Sequence, residues 1–139
     1  MNRTIAAFGA AAAALAFAAP ASTHENGPVL IIRHQLRGCH AWTLGTTGVP
    51  KVSQSLWLKR GVHLEIGNND VMPHRLVQTA GPRAALPDGP GMNGLGKMIE
   101  IRFPKAGVYR FTTKAGDDYS KGVHTIGADH RLALRVIVR

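Results

Sequence analysis

The residues best suited to chemistry lie in two short stretches. The first is Ile66 to Ala80, reading IGNNDVMPHRLVQTA, where His74 follows Pro73 and a polar run of Gly67, Asn68, Asn69 and Asp70. Proline fixes its own φ and pushes the residue before it, Met72, toward extended geometry. The imidazole is therefore expected in a fixed frame at the end of a sheet, where a β-sandwich can seat a metal ligand. The alternative is a turn histidine that caps a strand end. The second stretch is Arg37-Gly38-Cys39-His40, which holds the only cysteine of the chain. A lone cysteine excludes an intramolecular disulfide. It leaves a free thiol, an intermolecular bridge, a metal ligand or a small buried hydrophobe.

The elements that must position these residues are short strands. An alternating run, Val62, Leu64 and Ile66, leads into the Asn-Asn turn, and Arg75 to Thr79 follows as a second strand. Val29 to Ile32 reads as a buried strand that continues to Leu36, and Ala41 to Leu44 resumes extended structure after the Arg37–His40 break. Val52 to Lys59, Met98 to Phe103, Tyr109 to Thr113 and the closing run Leu132 to Val138 complete the set. Gly81 to Gly96 is a long Pro/Gly loop with room for one helical turn, and Lys114 to Asp129 is a long polar loop. There is no long stretch of helical period. Short strands between Gly/Pro/Asn/Asp turns predict an all-β, Greek-key β-sandwich of seven or eight strands. Its core should include Leu64, Ile66, Phe111, Leu134 and Val136.

Residues 1–21 read as a signal peptide: Asn2-Arg3, an alanine-rich apolar run from Ile5 to Ala19, and an Ala19-Pro20-Ala21 cleavage site. The run is short for a bilayer span of about 20 residues; the alternative is an uncleaved N-terminal anchor, and no membrane span is expected after cleavage. One domain, residues 22–139, follows, periplasmic or secreted and monomeric. Loss of Arg3 leaves 16 of the 17 basic residues against 8 acidic ones. Export with a basic surface predicts either no partner or an acidic one: anionic lipid, cell-wall polymer or an acidic protein, including an acidic redox partner. Nucleic acid is not expected, because the basic residues are dispersed without interleaved aromatics. No Gly-x-Ser-x-Gly, His-Glu-x-x-His or phosphate-loop pattern occurs, so no enzyme is expected.

Asn68-Asn69, three residues, then Pro73-His74 resembles the cupredoxin segment that carries the first copper-ligand histidine. Phe103 to Phe111, FPKAGVYRF, resembles the F-x-x-x-G-x-Y-x-F strand of the same blue copper proteins. The resemblance implies a cupredoxin-like sandwich with three loops meeting at one end: His74, the Arg37–His40 break and Lys114 to Asp129. The chain then departs from the pattern. The family's cysteine position falls on Thr113, which cannot supply a thiolate. Either the metal site is lost, or Cys39 has taken over the thiolate, with His40 beside it.

A thiolate selects Cu(I) and imidazole serves both oxidation states, so copper is the expected metal, with zinc open to the same ligand types. The candidate metal ligands are Cys39, His74, His40 and Met72. His40 could instead be a surface loop residue, and Met72 loop packing. His124 or His130 could complete the set. His34 and His63 read as strand residues with structural or solvent-facing roles. Two functions follow: an exported copper-binding protein for electron transfer or copper handling, or a metal-free cupredoxin-fold binding module with a basic surface.

Overall fold

Alternation of apolar and polar residues sets the architecture, because each strand offers one face to a shared core. The computed structural model describes residues 27–34, 40–87, 91–115 and 132–139. The described residues form eight strands: β1 Val29–His34, β2 His40–Leu44, β3 Ser53–Leu58, β4 Leu64–Asn69, β5 His74–Ala80, β6 Met98–Ile101, β7 Gly107–Ala115 and β8 Ala133–Val138. They make two four-stranded sheets, in the orders β2-β1-β4-β6 and β3-β8-β7-β5. Strands β1 and β4 are parallel, as are β3 and β8, while the other pairs are antiparallel. The chain passes from one sheet to the other between β2 and β3 and at each step from β3 to β7, which is Greek-key winding. The expected all-β sandwich is therefore the one observed.

Five residues expected in the core are buried: Leu64 and Ile66 on β4, Phe111 on β7, Leu134 and Val136 on β8. Trp42 joins them with no exposed surface, and its indole N–H donates to the Ala133 carbonyl at 3.0 Å. Burying an aromatic with a polar edge requires such a partner. The FPKAGVYRF run is built for a tight corner. Tyr109 is buried, and its hydroxyl donates to the Lys105 carbonyl at 2.5 Å. Gly107 has φ +147°, and a Cβ there would stand 3.0 Å from Pro82 Cγ.

Several expectations about boundaries need correction. Asn68 and Asn69 are strand residues, not turn residues. They pair with Ile32 and Arg33 of β1, so the turn begins only at Asp70. His40 is not in a loop; it opens β2 and is buried. His63 precedes β4 instead of lying within a strand. The described parts of Gly81–Gly96 contain no helical turn; they are tied to the sheets by bridges from Ala85 to Arg102 and from Met92 to His74.

Candidate metal centre

Strand register brings the histidines together. His34 ends β1 and His40 begins β2, and the two are directly paired. Arg33 pairs with Asn69 on parallel β4, so the next residue along, His34, comes beside Asp70. His74 starts β5 in the other sheet. The cluster therefore sits where one end of the first sheet meets the entry to the second.

The Asn-Asn-Asp segment holds this junction by side-chain bonds to backbone. Asn68 is buried; its amide donates to the Met72 carbonyl at 2.8 Å and the Met92 carbonyl at 3.1 Å. Its carbonyl oxygen accepts the Asp70 N–H at 2.9 Å. Asp70 Oδ1 then accepts the Met72 N–H at 3.3 Å. This Asx-type bonding fixes a turn without regular structure. The backbone N–H of His74 donates to the Met92 carbonyl at 2.9 Å, so the frame of the imidazole is set from two sides.

Asp70 is the centre of the cluster. Its Oδ2 lies 3.0 Å from His74 Nε2 and 2.8 Å from His40 Nε2, and its Oδ1 lies 3.7 Å from His34 Nδ1. The His40 and His74 rings meet edge to face, with centroids 4.6 Å apart. Burial of the Asp70 carboxyl works to raise its pKa. The His74 hydrogen bond, the Met72 amide and the charges of His40 and His74 outweigh burial and hold it below the ordinary value. An ionised carboxylate only accepts. His74 Nε2 is therefore the donor to Asp70, which leaves Nδ1 as the ring's other nitrogen. That Nδ1 is buried and has no hydrogen-bond partner among the described residues. A carboxylate on one ring nitrogen, with the other nitrogen left without a protein partner, is the arrangement of a metal-ligating histidine.

His74 and His40 are thus brought together as candidates. Met72 lies in the same turn, half-buried, with both backbone polar groups engaged. Cys39, His124 and His130 lie outside the described residues. Thr113, where the sequence resemblance would call for a cysteine, is buried, and its hydroxyl accepts the Leu132 N–H at 3.3 Å. It secures β7 to the entry of β8.

Two members escaped the sequence reading. Asp70 was read only as a turn former, although its place four residues before His74 was a signal. His34 was read as structural or solvent-facing; its ring is half exposed and faces Asp70. Donor atoms of His34, His40 and Asp70 lie within 4.8 Å of one another, a second arrangement able to hold an ion. Tetrahedral ligands at about 2.0–2.1 Å from zinc stand roughly 3.3 Å apart. The observed 2.8 and 3.7 Å fall on either side of that separation.

No protein-family model matches the chain, and no curated protein matches it. Solved structures do. A cysteine protease inhibitor from Entamoeba histolytica aligns at TM-score 0.42 and 12% identity, over 63% of this chain and 86% of the inhibitor. An amicyanin variant in its oxidised state aligns at 0.45 and 16%, over 85% of this chain and 87% of that one. Amicyanin from Paracoccus versutus aligns at 0.40 and 16%, over 85% and 86%. What those proteins bind belongs to them; the chemistry of this chain is taken from its own residues.

Proposed function

We propose that this is a small exported copper-binding protein, an electron carrier or copper handler in the periplasm or outside the cell, and not a catalyst. The observation that carries the reading is His74: Nε2 tied to Asp70, Nδ1 buried with no hydrogen-bond partner among the described residues. Cys39 would supply the thiolate, His40 a second imidazole and Met72 a weak axial sulfur. Copper bound there would supply one-electron redox chemistry. The chain's own residues hold the site. Asp70 fixes the His74 tautomer, Asn68 fixes the Asp70 turn, and the hydrophobic sandwich below gives a rigid floor.

A second reading rests on the donor atoms of His34, His40 and Asp70. A carboxylate with two imidazoles suits zinc or Cu(II) without any thiolate. One experiment separates the two. Copper added to the mature protein should give a thiolate-to-copper absorption band in the visible. Cys39→Ser and His74→Ala should abolish it, while Thr113→Ala should leave it. If Cys39→Ser leaves copper binding intact and His34→Ala removes it, the carboxylate site is the real one. If none of the proteins takes up copper or zinc, the metal-free binding module replaces both readings.

A further inference from the structure

The outer face of the second sheet carries charge that no acidic residue among the described ones balances. Leu76, Tyr109, Phe111, Leu134 and Val136 point into the core, so their strand neighbours Arg75, Arg110, Lys114 and Arg135 lie on the opposite face. Register places these four in two directly opposed pairs: Arg75 with Lys114, and Arg110 with Arg135. Like charges directly opposite on adjacent strands destabilise a sheet. The first sheet shows how such a pair is relieved within a chain. Glu65 and Glu100 are also directly opposed, but His63 lies 3.7 Å from Glu65, and Arg102 lies 2.5 Å from Glu100. On the second sheet no acidic residue among the described ones faces the cations.

We infer that this face is a docking surface for an acidic protein, with each cation pair taking a carboxylate of the partner. Arg110 and Lys114 are four residues apart on β7, so the two clamps are about 13–14 Å apart. Three of the four cations are arginines, whose planar fork suits carboxylate geometry. One row beyond Arg110–Arg135, Trp57 and Val108 flank Ile137 in register and are 62% and 37% exposed. Arg139 stacks over Trp57 at 4.5 Å. Exposed Trp beside Arg is the composition of binding hot spots. A lipid surface fits less well, because the row between the clamps holds Val77, Thr112, Ala133 and Ser53, and its one larger apolar side chain, Val77, is half-buried. A second copy fits less well again, since Glu100 already has Arg102 as a counter-charge, His63 stands beside Glu65, and a net charge of +9 repels like molecules. The inference does not depend on metal binding.

The test uses the mature chain with poly-L-glutamate as the probe. Arg110→Gln with Arg135→Gln should weaken binding at least tenfold. Arg83→Gln with Lys97→Gln removes the same charge elsewhere and should weaken it less than threefold. The face pair should also raise the melting temperature of the free protein, because it relieves repulsion; a purely structural role would lower it. Equal loss in the two double variants would overturn the docking face in favour of net charge alone. Phosphatidylglycerol vesicles bound more tightly than polyglutamate, with the same dependence on Arg110 and Arg135, would overturn the protein partner in favour of a membrane.

Discussion

Asp70 decides the chemistry of the histidine cluster. Its carboxylate is buried and receives the Nε2–H of His74. Asp70→Ala leaves that buried donor without an acceptor, which costs about 1–3 kcal/mol. Chemical denaturation should show a loss of that size, and Asp70→Asn a smaller one. The acid response follows from the same residue. Its folded pKa lies below the ordinary 3.8. The unfolded chain therefore takes up the proton first as pH falls. The stabilisation is complete above about pH 4, and it is lost as pH drops through the folded value. Urea midpoints measured between pH 5 and 2 should fall more steeply for the natural chain than for Asp70→Asn. Parallel curves would show that Asp70 is not held in its charged form. The spacing of Asp70 to His74 is legible in the sequence, but the burial of the carboxylate and its bonds are not. An aspartate in an Asn-Asp-x-x-Pro turn looks like backbone punctuation, and only the β1–β4 and β1–β2 registers together bring two more histidines to it.

Elements were the more legible level. Alternation at Leu64/Ile66 and at Leu134/Val136 identified the buried faces of β4 and β8, and those four residues are core. Alternation failed at Ile137, which is buried on the outward side between Trp57 and Val108 of the neighbouring strands. Strand ends were less legible, because Asn68 and His40 are polar yet buried within strands. Their side chains find internal partners, and a sequence cannot show where those partners will be. Leu134→Ala tests the packing of β8, which lies between β3 and β7. Deleting three buried carbons should cost roughly 2–5 kcal/mol. A change under about 0.5 kcal/mol, the range of surface substitutions, would mean that the face is reversed. Thr113→Ala should cost less, on the order of 1 kcal/mol, for the hydrogen bond to Leu132.

At the scale of the whole molecule, the site joins the two sheets. His34, His40 and Asp70 belong to the ends of β1, β2 and β4, whereas His74 opens β5 across the sandwich. The β5 entry is otherwise tied to the first sheet's side through the Met92 bridge and the Asn68 bonds. An ion coordinated from both sides would cross-link the sheets at that end, and it would bind only the folded arrangement. Linkage then adds about 2.7 kcal/mol of stability at a free metal concentration 100 times Kd. Calorimetric melting should rise on adding Cu(II) or zinc in proportion to the logarithm of metal concentration. His74→Ala should abolish the rise if the ion bridges the sheets. His34→Ala should abolish it, with His74→Ala leaving it, if the ion sits only on the first-sheet side. A melting temperature that no metal raises in the natural chain would remove both sites and leave the basic sheet face as the functional surface.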